Sequence, residues 1–280
     1  MRRRIILSSW KLTTFDIALF GILLGIYFIA ASLERYVFKG PLNISLTYAI
    51  FILFGLILGP FKGALLGILC DTLNQIIYGI STWMIEYAIV PVIIAMISGL
   101  LVHFIFNVKR TTWYVGFIIL VIITIIMISF LITYNKPFDW AELRFKSKNP
   151  IPTIVVASVS ATGLTAIWII AFITYFINKF SWNFKHKLNA QYVFGILVGV
   201  FLIIVIMRWF WGPFAYINYH NRFRNGTWTY QKYYLPFMIP IMFKTLIEIP
   251  IYALIIFHLK PVISLITGRI NFYSQKIYTY

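Results

Sequence analysis

The chain alternates long apolar runs with short polar breaks. The runs fall at 16–33, 43–58, 61–79, 84–106, 113–134, 152–177, 190–211 and 235–258. Most approach the roughly 20 residues a helix needs to cross a bilayer. They predict eight membrane-spanning helices. The second run is short, and only Gly59 and Pro60 separate it from the third. Across residues 55–71 glycine recurs at Gly55, Gly59, Gly63 and Gly67, and the next step of the register is Asp71. A four-residue step keeps positions near one helix face. Glycine there lets two backbones approach closely in lipid. The run therefore predicts a tightly packed stripe that ends in a carboxylate at a depth where charge is costly.

Composition supports the same picture. Of 280 residues, 61% are hydrophobic and only 11% charged, too little polar surface for a soluble domain of this size. The net charge of +17 would suggest nucleic acid in a soluble protein. Here the charges lie mostly between apolar runs, so they read as topology signals and contacts to lipid headgroups, with no nucleic-acid partner. A single cysteine, Cys70, excludes an internal disulfide and offers no metal spacing. The four histidines are scattered, so neither a metal nor a cofactor is expected. Residues 1–15 carry Arg2, Arg3, Arg4 and Lys11 with no acid before Asp16. They read as a cytoplasmic flank, not a cleaved signal. The bias of basic residues puts both termini in the cytoplasm of a multi-pass cell-membrane protein. Residues 135–151 and 212–234 are then long loops on the outer side.

No catalytic motif is present: no phosphate loop, zinc pattern or nucleophile elbow. The polar residues within spans carry the remaining chemistry. Asp71, Asn74, Gln75 and Tyr78 share one helix face. They either touch a solute or fix helix packing through hydrogen bonds. Lys244 and Glu248 stand four residues apart in the last span. They either neutralise each other, or Lys244 meets an anionic group of a solute. Three outer segments gather polar and aromatic side chains: Glu34, Arg35, Lys39, Asn43 and Ser45; Ser81, Thr82, Trp83 and Glu86; and Arg208, Trp209, Trp211, Asn218, His220, Arg222, Arg224 and Trp228. Singly these tryptophans fit an interfacial belt. As a set they suggest an outward-facing pocket for a small planar molecule. On the first span, Gly21 and Gly25 form a small-residue pair with Ala18 beside them, an internal contact or a docking face for another membrane subunit.

From Asn43 to Gly99 the chain resembles the substrate-binding S components of energy-coupling-factor (ECF) vitamin transporters. The short second helix, Gly59-Pro60, Gly63, Gly67, Asp71 and the aromatic loop from Gly79 to Glu86 carry the likeness. Gly21-x-x-x-Gly25 matches the motif by which these proteins dock on the transmembrane coupling subunit. The run from Tyr234 to Leu259 looks like the last helix of the folate-specific branch, with Lys244 at that branch's lysine. The branch's arginine is replaced near Ile241 or Met242. The likeness covers roughly the first hundred and the last fifty residues. Family members usually have six helices. The resemblance therefore implies an all-α bundle of six core helices in one transmembrane domain, residues 1–280, with 113–177 as an inserted pair.

The resemblance further implies a subunit that captures a vitamin, folate or a related pterin first, outside the cell. It would deliver the vitamin inward by toppling in the bilayer, together with the coupling subunit and a pair of ATPases. Expected solute contacts are Arg35, Asn43, Ser45, Asn74, Trp83, Glu86, Trp211, Arg222 and Lys244. Gly59, Pro60, Gly63, Gly67 and Asp71 are expected to organise packing, and Ala18, Gly21 and Gly25 to dock the partner. Two other readings stay open. One is a membrane enzyme acting on a lipid-linked substrate through Asp71, Lys244 and Glu248. The other is a noncatalytic assembly factor using the Gly21/Gly25 face.

Overall fold

A computed structural model describes residues 12–37, 44–79, 83–106, 110–133, 138–139, 144–145 and 153–276. Residues 1–11 of the expected flank 1–15, most of the loop 135–151, and Lys39, Asn43, Ser81 and Thr82 lie outside these. The described residues form nine α-helices: α1 (Thr14–Tyr36), α2 (Leu46–Leu58), α3 (Pro60–Tyr78), α4 (Ile85–Phe106), α5 (Arg110–Thr133), α6 (Thr153–Phe180), α7 (Phe184–Ile204), α8 (Trp211–Phe223) and α9 (Tyr230–Lys276). A π-helical segment, Val205–Phe210, joins α7 to α8. A two-residue pairing of Phe138–Asp139 with Arg144–Phe145 is the other regular element among the described residues. The protein is an all-α membrane protein. Six stretches of helix are long and apolar enough to cross a bilayer: Thr14–Tyr36, Ile85–Val102, Thr111–Ser129, Ala161–Phe180, Phe184–Phe223 and Tyr230–Ile270. α2 has 13 residues, about 20 Å of helix, too short to span alone.

The chain divides into two compact units, residues 1–103 with 254–280, and residues 104–253. In the first, α2 is apolar all round and lies inside, its residues 51–58 all buried, as such a helix must. Tyr27 of α1 packs on Phe51 with ring centroids 5.4 Å apart. At the start of α1, Thr13 and Asp16 cap each other reciprocally. Asp16 also holds the buried ammonium of Lys62, 2.6 Å away at the start of α3.

The expected glycine stripe does not lie on one helix. Gly59 has φ +82°, a left-handed region that favours glycine, and it ends α2 where Pro60 begins α3. Gly55 therefore sits on α2 and Gly63 and Gly67 on α3, two helices that fold back on each other. A Cβ on Gly63 would lie 3.0 Å from the Phe54 backbone of α2, and one on Gly67 would lie 3.1 Å from the Pro91 backbone of α4. On Gly55 it would collide with Ala95 and Ser98 of α4, and on Gly99 with Pro60. The glycines weld α2, α3 and α4 backbone to backbone in several directions.

In the second unit, Phe194, Phe201 and Trp209 are fully buried. Trp113 of α5 stacks on Phe194 of α7 with ring centroids 4.1 Å apart. Trp168 of α6 donates from Nε1 to Thr124 Oγ1 of α5 at 3.1 Å. Gly163 of α6 leaves room for Leu246 of α9, since a Cβ there would lie 2.7 Å from its side chain. α5 and α6 thus pack on α7 and α9 within this unit.

Residues 212–234 do not form one long loop. Most are helical, in α8 and the start of α9, and the connection is only 224–229. Gly212-Pro213 reads as a helix breaker because proline clashes with the carbonyl four residues back. The helix nevertheless continues, through a wide π turn just before it in which the Trp211 N–H reaches back to the Ile206 carbonyl; alongside, Tyr234 donates to the Phe210 carbonyl at 2.7 Å. α9 also runs 18 residues past the expected end at 258, through Pro261 to Lys276.

Candidate functional site

In the first unit, the end of α1 meets the start of α2 and the end of α3. Glu34 accepts the Thr47 N–H near the start of α2, where that helix's first amides need acceptors. The neighbouring Arg35 guanidinium lies 3.5 Å over the Tyr78 ring at the end of α3, a cation–π contact. Two turns earlier on α3, the Asp71 carboxylate accepts from Trp83 Nε1 at 3.3 Å, tying the residues before α4 to α3. Asn74 stands half-buried between Asp71 and Tyr78, Ser45 is the N-cap residue of α2, and Glu86 is half-buried in the first turn of α4. This end of the unit therefore collects Arg35, Ser45, Asn74, Trp83 and Glu86.

Asp71 is expected to organise packing, and its carboxylate meets a side chain of this chain. That partner is the Trp83 indole, on the segment that leads into α4.

In the second unit, charge concentrates on Glu248. This carboxylate is fully buried and pairs with Arg208 of the π segment. Lys244, one turn earlier on α9, holds its ammonium 3.7 Å from the other carboxylate oxygen. Beside them the buried Trp209 donates from Nε1 to Thr245 Oγ1 at 2.7 Å, and the Thr245 hydroxyl donates in turn to the Met242 carbonyl at 2.9 Å. Consecutive residues in the wide π turn lie closer in angle than in an α-helix. That is why Arg208 and Trp209 both reach α9, at Glu248 and Thr245. π turns of this kind recur at functional sites.

Arg208, grouped by sequence with the outer aromatic segments, is the partner of Glu248. The signal for it was present: a lone arginine and a lone glutamate in separate apolar spans need each other.

Trp211 and Arg222 are not in that cluster. Trp211 is half-buried against Phe214, 5.2 Å between ring centroids. Arg222 lies exposed in the last turn of α8, about 20 Å along the helix from Arg208 at the usual rise per residue. There it favours the negative helix end. The aromatics nearby pack on one another. His220 stacks on Trp228 at 3.4 Å and 7°, and Trp228 stacks in turn on Tyr233 and Phe237. Asn221 clamps both backbone groups of Trp228 at 2.9 Å each.

On α1, Ala18, Gly21 and Gly25 are all exposed. A Cβ on either glycine would meet nothing within 4 Å. They are not part of the internal packing of their unit, unlike Gly55, Gly63 and Gly67. No group of three His, Cys, Asp or Glu among the described residues could hold a metal ion.

One comparison with known families succeeds. Residues 11–167, more than half of the chain, match the model of the ECF-type riboflavin transporter, S component. No curated protein and no solved structure matches significantly. The matched residues take in α1 to α4 with their glycine contacts, the exposed Gly21/Gly25 face, and the polar end formed by Arg35, Asp71 and Trp83. The chain belongs to the ECF-type riboflavin transporter S component family, and is thus a substrate-binding membrane subunit of an ECF transporter and not a member of an enzyme family.

Proposed function

We propose that this S component captures a planar heteroaromatic vitamin outside the cell and releases it inward. Riboflavin comes first, on the name of the matching family. Folate or a related pterin is the second reading, and one observation favours it. Two cations, Arg208 and Lys244, converge on the single carboxylate of Glu248, so these three side chains carry a formal +1. Lys244 is the more exposed of the two cations and is the one an anionic vitamin would approach. An ion held in such surroundings acts strongly, because little water screens it.

Ala18, Gly21 and Gly25 are the proposed docking face for the ECF coupling subunit, which would in turn carry the ATPase pair. Their exposure supports this, since small residues let a partner helix approach closely. Both termini are placed in the cytoplasm on the basic flank.

A thermal-shift panel on the purified chain tests the vitamin. Riboflavin, folate, pantothenate, thiamine and nicotinate are the ligands. A shift with riboflavin alone retires the folate reading, and a shift with folate alone retires riboflavin. No response to any of them sinks the capture of a vitamin by this chain.

A further inference from the structure

The turn between α6 and α7 carries three large aromatic side chains that pack against almost nothing. Trp182 is 103% exposed, Phe184 73% and Phe180 63%. Four residues that carry or can carry positive charge surround them: Lys179, Lys185, His186 and Lys187. Residues 179–187 hold no acid. Lys179, Lys185 and His186 are exposed and Lys187 is partly so.

The turn itself is well fixed. Asn183 caps α7 by accepting the Lys185 N–H at 2.9 Å, and Ser181 accepts the Asn183 N–H at 3.3 Å. Gln191 of α7 donates to Asn178 of α6 at 2.9 Å. Phe180 stacks on Phe176 with centroids 6.0 Å apart, and the Lys179 ammonium lies 5.4 Å from the Phe180 ring. A rigid turn therefore presents aromatic rings and cations outward together.

Exposed aromatics of this size are costly in water and are found where something covers them. The turn joins two membrane-spanning helices, so it lies at a bilayer surface. There, indole and phenyl rings settle at the headgroup level, and lysines nearby attract anionic lipids.

We infer that residues 179–187 form a binding site for anionic phospholipid, with Phe180, Trp182 and Phe184 seated in the interface and Lys179, Lys185 and Lys187 on the phosphate groups. The charge is complementary to that headgroup and to no neutral one. Nothing in the transport cycle proposed above requires this contact, so its failure leaves that reading intact.

The test uses the full purified chain in a neutral detergent. Native mass spectrometry counts retained phosphatidylglycerol against phosphatidylcholine. The wild type should retain phosphatidylglycerol preferentially. A lysine near a membrane surface contributes roughly fivefold in affinity, so K179Q/K185Q/K187Q should lose most of the preference. W182A should lower retention of both lipids. A control pair elsewhere, K260Q/R269Q, should keep the preference. Melting temperatures of all variants in phosphatidylcholine verify folding. Equal retention of the two lipids by the wild type overturns the inference. So does an unchanged preference in the triple variant, or an equal loss in the control pair. Inorganic phosphate that displaces the lipid at similar concentration would make this a phosphate site and likewise overturns it.

Discussion

The Lys62 ammonium sits 2.6 Å from the Asp16 carboxylate, and both side chains are buried. This contact ties the start of α1 to the start of α3. Asp16 is also the capping acid of α1, so one carboxylate serves the helix end and the ion pair together. Such a pair is weak evidence for net stability, because burying both charges is costly. Removing one partner is a different matter, since it strands the other.

Asp16→Asn or Lys62→Met alone should each destabilise the purified protein by about 3 kcal/mol. The double variant should recover a large part of that loss. Thermal unfolding in detergent, run as a double-mutant cycle, gives the coupling. Additive losses would show that the two residues act separately.

The two classes of glycine should respond in opposite ways. Gly55→Ala and Gly99→Ala force a methyl group into backbone of a neighbouring helix, and overpacking of this kind costs about 1–3 kcal/mol. Gly21→Leu and Gly25→Leu meet open space, so the isolated chain should keep its melting temperature and its vitamin binding. Uptake by the assembled transporter should be lost. If vitamin binding falls while assembly with the coupling subunit survives, the docking role of this face is wrong.

Lys244→Ala should weaken a vitamin bearing a carboxylate at least tenfold more than a neutral analogue, measured by calorimetric titration. Equal effects on both would assign Lys244 to packing. Arg208→Met removes the partner nearest to a fully buried carboxylate. It should cost about 3 kcal/mol of stability, and Glu248→Gln in the same chain should restore part of it.

Asp71→Ala tests the organising role of that residue. The bond to the Trp83 indole is exposed, so its loss should cost about 1 kcal/mol or less. Vitamin affinity should change less than twofold. A tenfold loss of affinity with stability intact would move Asp71 into direct solute contact.

The helical membrane character, most helix starts and the polar residues worth watching follow from the sequence itself. Apolar runs of bilayer length leave the backbone no alternative, since every amide in lipid needs a partner within its own helix. α3 begins at Pro60 and α4 at Ile85, each within a residue of the position read from the apolar pattern. Periodicity along one chain cannot say what lies opposite a side chain. So it could not tell Gly21, which faces open space, from Gly63, which faces the Phe54 backbone, although both sit in four-residue glycine steps.

Two further features were decided only by tertiary structure. The left-handed bend at Gly59 splits one glycine register over two helices and turns a stripe into a weld between α2, α3 and α4. The π turn at 205–210 carries the chain past Gly212-Pro213 as helix and brings Arg208 to Glu248, 40 residues apart in sequence. Local propensity favours a break at that proline. The helix continues through a wider π turn whose side chains, Arg208 and Trp209, are held by Glu248 and Thr245 of α9, partners that only the folded chain provides.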